Sequence, residues 1–374
     1  MKKIIVAIDS FKGCLTSTEA NQAASEGILA KMPEAKVVQV PVSDGGEGWL
    51  EAFQAAMGAP SPLTIGHLPS GRGEIVEVNV KDPLMRTIVA QYLIQGDKAV
   101  IEIAKASGLT LLSPEERNPM VATSYGTGQL IVDAVRRGCK HIIVGLGGSA
   151  TSDCGLGMLR AIIDTFSKGG SIPADAPTRS LWDDVHELDD VRFTIATDVT
   201  NPLCGENGAA YVFAPQKGAT HEQVLALDAR AKRFAEASAK HLGRDSQNMP
   251  GAGAAGGLGY AFLQYMNAEC RSGIDLILDT IHFDDLLQDA DLVITGEGCA
   301  DRQTLMGKLP FGILQRARKQ NVPVMLIAGR IADEQQLLDA GFSRVACINP
   351  PNLQLEIAMQ PETAKENIRK TVRI

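Results

Sequence analysis

Glycine-rich segments that also carry charged side chains are the parts of this sequence that could do chemistry. Glycine supplies 37 of the 374 residues and concentrates in five segments: Asp9–Gly13, Ser43–Gly48, Gly145–Gly157, Pro250–Gly259 and Thr295–Pro310. Such loops allow backbone N–H groups to approach an anion closely, and a helix that follows adds a favourable dipole. Tight turns also require glycine, so each segment alone fits either interpretation. Together they predict a binding site for phosphate or carboxylate groups.

The charged residues in or beside these segments are of the types that phosphoryl transfer requires. Carboxylates are needed to hold Mg²⁺ and to orient the attacking hydroxyl, and cations are needed to meet the charge of the transferred group. The acidic candidates are Asp9, Asp44, Glu47, Asp153, Asp198, Glu297 and Asp301. The loop cations are Lys12, Lys217, Arg302 and Lys308. The alternative role for any one acid is a helix cap or an Asx turn.

Other common chemistries lack their sequence patterns in this chain. There is no G-x-x-x-x-G-K-[ST] string, which excludes a P-loop kinase. Gly251–Gly256 matches G-x-G-x-x-G but follows no predicted strand, and Gly145–Ala150 lacks the acidic ribose partner expected about twenty residues on. The six histidines show no H-E-x-x-H and no pairing with cysteine, which disfavours zinc. The absence of G-x-S-x-G disfavours a serine hydrolase.

Composition restricts the class of protein further. Apolar residues make up 45% and charged residues 21%, the balance of an ordinary globular protein. The net charge of −8 and the aromatic content of 5% disfavour nucleic acid as a partner. Seven cysteines without a C-x-x-C pair favour a reducing cytoplasm over a disulfide framework. No apolar run approaches the roughly 20 residues that span a bilayer, and Met1–Asp9 is predicted as a first buried strand.

Short β-branched apolar runs alternate with segments of helical period, and this alternation predicts an α/β fold. Runs that are apolar throughout indicate a parallel sheet covered on both faces. They are Ile4–Ile8, Val37–Val40, Ala99–Ile103, His141–Val144, Arg192–Ala196, Leu292–Thr295 and Val322–Ala328. The predicted helices are Thr18–Met32, Thr127–Arg137, His221–His241 and Phe311–Lys319. Thr16 and Glu19 have capping-box spacing and should begin the first helix.

The sequence predicts two α/β domains. Residues 1–72 and 291–374 would form a discontinuous Rossmann-like domain with a parallel sheet, and residues 73–290 an inserted α/β domain. The insertion begins with Glu74–Val80 and Thr87–Ile103, strand-like segments without an intervening helix, which indicates antiparallel pairing. Loops at the carboxyl ends of parallel strands line the ligand crevice in such folds. We therefore expect the active site in the cleft between the two domains.

In their order along the chain, these segments resemble one family closely, the bacterial glycerate kinases of the two-domain, non-P-loop type. The resemblance covers essentially the whole chain, and the string T-G-E-G-x-x-D-x-Q-T-x-x-G-K-x-P is its most specific part. The matching stretches are Asp9–Gly13, Ser43–Gly48, Ala122–Leu130, Val144–Thr151, Asn201–Gly205, Phe213–Thr220, Pro250–Gly259 and Thr295–Pro310. Two departures stand out. Cys154 lies where the family usually shows glycine, and Arg302 replaces an expected glycine.

The resemblance implies phosphorylation of D-glycerate by ATP with Mg²⁺ in glyoxylate or sugar-diacid breakdown. It implies 2-phosphoglycerate as the product, with 3-phosphoglycerate as the alternative. Asp44 or Asp198 would orient the glycerate hydroxyl, Lys12 would offset charge, and Glu297 and Asp301 would hold the metal ion. The other predicted binding residues are Asp9, Ser10, Gly45, Gly46, Gly147, Gly148, Ser149, Asp153, Lys217, Gly296, Gln303 and Lys308.

Two other classes of function are weighed against a kinase. A nucleotide-dependent oxidoreductase is favoured only by the glycine-rich strings and is disfavoured by the missing acidic ribose partner. A sugar-acid sensor without catalysis would have no use for so many loop carboxylates, which would repel an anionic ligand unless Mg²⁺ neutralised them. The number of carboxylates therefore favours catalysis. The sequence does not decide whether the chain forms a homo-oligomer.

Overall fold

The structure, a computed structural model, describes residues 1–43, 49–58, 73–167 and 182–373. The predicted site residues Asp44, Gly45 and Gly46 lie outside the described residues. The chain divides into two compact units. The terminal unit comprises Met1–Asp44, Glu51–Ala59 and Gly273–Ile374, and the inserted unit comprises Gly45–Leu50 and Pro60–Ser272.

The helices and strands of the described residues alternate in the way that the apolar runs predict. The strands are β1 (Lys3–Ile8), β2 (Lys36–Gln39), β3 (Glu74–Lys81), β4 (Thr87–Gln95), β5 (Lys98–Glu102), β6 (His141–Gly145), β7 (Arg192–Ala196), β8 (Glu269–Arg271), β9 (Leu292–Ala300), β10 (Val324–Ile331) and β11 (Arg344–Cys347). The helices are α1 (Ser17–Lys31), α2 (Trp49–Gly58), α3 (Ala104–Ser107), α4 (Tyr125–Arg136), α5 (Leu156–Phe166), α6 (Ala209–Phe213), α7 (His221–Leu242), α8 (Ala254–Tyr265), α9 (Gly273–Thr280), α10 (Phe283–Leu286), α11 (Leu309–Lys319), α12 (Glu334–Asp339), α13 (Leu355–Ala358) and α14 (Pro361–Thr371).

The terminal unit contains a five-stranded parallel sheet in the order β11-β10-β9-β1-β2. Ile4, Val6 and Ile8 of β1 are buried in a core that includes Ile28 of α1 and Ile368 of α14. Burial of Ile4–Ile8 explains the uninterrupted apolar run of β1, because helices cover a parallel sheet on both faces. Strands from both ends of the chain share this sheet. This confirms the predicted discontinuous Rossmann-like domain.

The inserted unit contains a six-stranded mixed sheet in the order β3-β4-β5-β6-β7-β8. The first three strands pair antiparallel and the remaining pairs are parallel. This arrangement confirms the antiparallel entry that the alternating segments predict. No helix in the described part of the chain is long and apolar enough to cross a membrane.

The start of α1 follows the predicted capping box. The backbone N–H of Glu19 donates to Thr16 Oγ1 at 3.2 Å, and the backbone N–H of Thr16 donates to Glu19 Oε2 at 3.0 Å. These two bonds satisfy N–H groups that the first turn of a helix leaves without partners. The capping box therefore fixes the point at which the chain leaves β1 and enters α1.

The predicted end of β9 at Thr295 is wrong, and Glu297, which the sequence places in a glycine-rich loop segment, lies in the strand. The strand continues to Ala300 because β10 runs beside it, with Ala328 paired to Glu297 and Ile331 paired to Ala300. Gly296 serves this pairing, since a Cβ atom there would overlap the Ile327 carbonyl oxygen. Glycine at this position allows close strand approach and does not indicate a turn.

Residues 273–290 belong to the terminal unit, although the sequence places them in the inserted domain. One reason is the fit between Ile274 of α9 and Gly312 of α11, where an added Cβ would lie 2.9 Å from Ile274 Cγ1. A second reason is Arg316 of α11. Its guanidinium contacts the carboxylates of Asp275, Asp279 and Asp284 at 2.7 to 3.0 Å.

Replacement of Arg316 by methionine should lower the free energy of unfolding by about 1–2 kcal/mol. The guanidinium is 14% exposed, and its loss leaves three neighbouring carboxylates without their shared cation. Urea denaturation followed by circular dichroism measures the change. Arg316→Lys keeps the charge but loses the planar guanidinium that reaches several carboxylates. Its stability should therefore lie between those of the wild type and Arg316→Met. Equal stability of wild type and Arg316→Met would contradict a stabilising role for this cluster.

Candidate active site

The buried carboxylate of Glu297, in the terminal unit, contacts other residues of the last glycine-rich segment, Thr295–Pro310. Glu297 is 8% exposed, and its Oε1 accepts a hydrogen bond of 2.6 Å from the Thr304 hydroxyl. Lys308 Nζ lies 3.4 Å from Glu297 Oε2 and is 37% exposed. Burial raises the pKa of Glu297, and Thr304 and Lys308 oppose that effect. The result is a desolvated carboxylate beside a partly exposed ammonium group.

Asp301 caps the 3-10 turn Arg302–Leu305, which connects β9 to α11. Its Oδ1 accepts from the Gln303 N–H at 2.7 Å, and its own N–H donates to Thr304 Oγ1 at 3.1 Å. Thr304 therefore bridges the Asp301 backbone and the Glu297 carboxylate. Sequence reasoning missed Thr304, although its fixed place in the family string was a signal. The side chains of Arg302 and Gln303 are exposed at the same turn.

The end of β1 lies beside this part of β9. The backbone N–H of Asp9 donates to the Gly296 carbonyl at 2.9 Å, so the carboxyl end of β1 lies beside Gly296 of β9. Asp9 is buried, and its Oδ1 accepts from the Ser10 N–H at 2.7 Å. Lys12 follows in a turn closed by Phe11 and Leu15 and is exposed. The structure thus brings Asp9, Ser10, Gly296 and Glu297 to one edge of the terminal sheet.

Asn21, which sequence reasoning missed, holds the ends of β1 and β2. Its Oδ1 accepts from the Ile8 N–H at 3.0 Å, and its Nδ2 donates to Ser17 Oγ at 3.2 Å and to the Val40 carbonyl at 3.3 Å. The side chain is fully buried. A polar residue on an otherwise buried face of α1 was the only sequence signal. Asn21 therefore positions the backbone that leads into the Asp9 segment.

Asn21→Leu should lower the free energy of unfolding by about 2–3 kcal/mol, because buried backbone groups at Ile8 and Val40 lose their partner. It should also lower kcat/KM, since the segment that carries Asp9 loses its support. Denaturation and steady-state kinetics measure the two effects. Ser25→Ala, in the same buried face of α1, is the matched control and should change neither by much. A stable Asn21→Leu protein with normal kinetics would contradict this positioning role.

In the inserted unit, the loop after β6 carries the predicted residues Gly147, Gly148 and Ser149. Gly148 is exposed and has a φ of +72°, which strains any residue other than glycine. The loop is attached to α3 by short backbone bonds, from Leu109 N–H to the Gly148 carbonyl and from Ala150 N–H to the Ser107 carbonyl. These bonds hold the glycine turn at the carboxyl end of a parallel strand.

Asp153 stabilises the same loop from the inside. Its Oδ2 accepts from the Ser124 N–H and hydroxyl, both at 2.8 Å, and from the Gly157 N–H at 3.1 Å. Its Oδ1 accepts from the Gly155 N–H at 3.1 Å. These four bonds occupy about all the acceptor sites that a carboxylate offers. The structure thus gives Asp153 a structural role, while its predicted role in ligand binding stays a prediction.

The glycines of the Pro250–Gly259 segment pack against this loop. A Cβ at Gly256 would overlap the Thr151 carbonyl, and one at Gly257 would lie 2.9 Å from Cys154 Cα. Cys154 itself has a φ of +56°, so the family's usual glycine is replaced here by a residue in a left-handed conformation. Burial raises the pKa of its thiol to about 12. The segment serves close packing, in agreement with the weak fit to a dinucleotide fingerprint.

Lys217 and Asp198 complete the predicted residues of the inserted unit. Lys217 is 3% exposed and donates to Ser149 Oγ at 2.8 Å and to the Thr151 carbonyl at 2.6 Å. Through these two hydrogen bonds, Lys217 stabilises the glycine loop from its buried side. Asp198 follows β7 and is exposed at the carboxyl end of that strand.

The donor groups fit a magnesium ion that is held largely by a nucleotide. In the described ranges, no group of three or more histidine, cysteine, aspartate or glutamate side chains could hold a metal ion. Mg²⁺ usually binds one or two carboxylates together with substrate phosphates and water, so it does not require such a group. Glu297 and Asp301 have carboxylate oxygens of the kind that Mg²⁺ prefers, and Lys308 has an ammonium group of the kind that pairs with phosphate oxygens.

Comparison with known proteins supports a kinase. The sequence profile of the glycerate kinase family matches residues 4–374. A glycerate kinase of Bacillus subtilis is 40% identical over 99% of this chain and 96% of its own, and a glycerate 2-kinase of Escherichia coli is 39% identical over 92% and 91%. The crystal structure described as glycerate kinase 2 from Salmonella typhimurium superposes with a TM-score of 0.78 and 37% identity, covering 100% of this chain and 96% of that one. This chain therefore belongs to the glycerate kinase family, whose members are kinases.

Proposed function

We propose that this chain transfers the γ-phosphoryl group of ATP to D-glycerate and releases 2-phosphoglycerate. The observation that carries the proposal is the arrangement of Glu297, Thr304 and Lys308 in a string specific to the family. The choice of product is supported by the name of the Escherichia coli relative, glycerate 2-kinase, at 39% identity. The proposal places the reaction in the breakdown of glyoxylate or sugar diacids.

The charged residues divide the work of phosphoryl transfer in this proposal. Glu297 and Asp301 would hold Mg²⁺, which would offset the charge of the ATP phosphates when it is bound. Lys308 and Lys12 would meet charge on the γ-phosphate or on the glycerate carboxylate. Asp44 or Asp198 would orient the glycerate hydroxyl for in-line attack and accept its proton. The backbone around Asp9, Ser10, Gly147 and Gly148 would contact the anionic groups.

An ATP-coupled assay with D-glycerate tests the activity, and ³¹P NMR of the product tests the position of the phosphate. We expect ADP release that depends on D-glycerate and on Mg²⁺, together with the resonance of 2-phosphoglycerate. The absence of ADP release would refute the proposed substrate. A 3-phosphoglycerate resonance would refute the proposed position alone. The same assay on Asp44→Asn and Asp198→Asn decides which carboxylate orients the hydroxyl.

A further inference from the structure

The glycine loop after β6 presents backbone donors that no acceptor of the described residues meets. Among the described residues, the N–H groups of Gly147, Gly148 and Ser149 donate no hydrogen bond. The three groups are consecutive, and the turn reverses at Gly148 with its positive φ. Consecutive N–H groups in such a turn form a concave site for an anionic oxygen.

A buried ammonium group contacts the side chain of Ser149, the last residue of this set. Lys217 Nζ is bonded to Ser149 Oγ at 2.8 Å and to the Thr151 carbonyl at 2.6 Å, both of which are neutral acceptors. In the part of the chain that the structure describes, no carboxylate lies within ion-pair distance of Lys217. A buried cation with only neutral partners is costly unless a counter-charge arrives.

Among the described residues, the charged groups around Lys217 form no ion pair with it. Asp153, in the same loop, attracts the ammonium from a distance. Its oxygens accept hydrogen bonds from Ser124, Gly155 and Gly157 instead. Arg230 of α7 donates to the Ser152 carbonyl at 2.7 Å, and it is itself a cation. Arg117, another cation, contributes a carbonyl that packs against Gly218.

We propose that Lys217 supplies the counter-charge of an anion site formed by the Gly147, Gly148 and Ser149 N–H groups, and that it gains a proton when the anion binds. The anion is a phosphate or carboxylate oxygen of a substrate. Lys217 acts through Ser149, whose hydroxyl accepts from the ammonium and is free to direct its own proton toward the anion. Lys217 is thus a positioning residue that does not itself contact the substrate.

The electrostatics of the free protein agree with this coupling. Burial lowers the pKa of Lys217 to about 7, and Asp153 opposes the shift. A substantial fraction of the side chain is therefore neutral at pH 7.5. A bound anion favours the charged form and raises this pKa, so the protein takes up protons from the buffer. At pH 6 the amine is already charged, and the uptake should largely disappear.

Isothermal titration calorimetry in two buffers of different ionisation enthalpy measures the uptake. At pH 7.5 we expect the wild-type protein to take up several tenths of a proton per site when at least one of the two ligands, D-glycerate or MgADP, binds. The ligand that produces uptake identifies the source of the anion. Nucleotide phosphates also titrate near neutral pH, so the tested quantity is the difference between wild type and Lys217→Met. Lys217→Arg stays charged and should show no uptake while it retains more affinity than Lys217→Met.

Equal uptake by wild type and Lys217→Met with both ligands would overturn the proposal. If Lys217→Met does not fold, the pH dependence of the wild-type protein decides, because D-glycerate itself does not titrate between pH 6 and 8. Uptake that is absent with both ligands at pH 7.5, or uptake with D-glycerate that is the same at pH 6 and pH 7.5, would then overturn it. The inference rests on the proposed function for its ligands but fails separately. ADP release with D-glycerate and no proton uptake would refute the Lys217 site alone. Uptake with MgADP in a protein inactive on D-glycerate would refute the proposed substrate alone.

Discussion

Glu297→Gln should lower kcat/KM for D-glycerate by roughly 10²- to 10³-fold without unfolding the protein. Glutamine has nearly the same shape and can still accept from the Thr304 hydroxyl through its amide oxygen. It cannot pair with Lys308 or carry the negative charge that we propose for holding Mg²⁺. Most of the loss should therefore appear in kcat and in the Mg²⁺ concentration that half-saturates the enzyme.

The same substitution should not reduce stability at neutral pH. Burial raises the pKa of Glu297 above its ordinary range, so folding disfavours the ionised form. That effect is absent in acid, where the carboxyl is protonated in both states, and it appears as the pH rises through the ordinary pKa of glutamate. Glutamine removes it, so the unfolding midpoint of Glu297→Gln at pH 7.5 should equal or exceed that of the wild type.

Steady-state kinetics across a Mg²⁺ series and thermal denaturation test these two expectations together. Glu356→Gln is the matched control, because it removes one exposed carboxylate from the same unit and should leave the kinetics unchanged. Near-normal kcat/KM in Glu297→Gln would refute the assigned role. Low activity with a fall in the unfolding midpoint would indicate that Glu297 acts through the structure.

The sequence predicted the fold well because the burial of parallel strands is encoded directly in apolar runs. The order of these runs identified the discontinuous terminal domain, and the alternation in residues 74–103 identified the antiparallel entry to the insertion. The end of β9 could not be predicted, since a glycine such as Gly296 indicates a turn when the sequence of that strand is considered alone. Its reason becomes visible only when the Ile327 carbonyl of the neighbouring strand lies against it.

The candidate site was predicted in part, because residue type shows which groups can do chemistry but not which ones are exposed. Lys308 and Glu297 do lie together, as a string of fixed spacing suggests. Lys217 and Asp153 were both candidates for contact with a ligand, and the structure shows that both are buried and stabilise a loop. Asn21 escaped notice because its partners are backbone groups of β1 and β2, which no side-chain pattern reveals.

Asp153→Asn replaces one carboxylate oxygen by an NH₂ group. It should lower the free energy of unfolding of the inserted unit by about 2–4 kcal/mol, which is large for so small a change. One amide oxygen can replace Oδ2, which accepts from Ser124 and Gly157. The amide nitrogen must then face the Gly155 N–H, and two donors oppose each other in a buried loop. If unfolding of this unit is two-state, its midpoint should fall by about 5–15 °C.

Asp164→Asn provides the comparison for this loss, and the contrast tests whether the loop depends on Asp153. Asp164 of α5 pairs with Arg160 at 2.7 Å and accepts from the Tyr125 hydroxyl at 3.1 Å, but it is 31% exposed. Its substitution should change stability by less than about 1 kcal/mol, because water replaces the lost interactions. A similar small change in Asp153→Asn, with activity strongly reduced, would mean that the carboxylate serves the ligand. A large loss of stability, with the remaining folded protein still active, would establish Asp153 as the internal support on which the anion-binding turn depends.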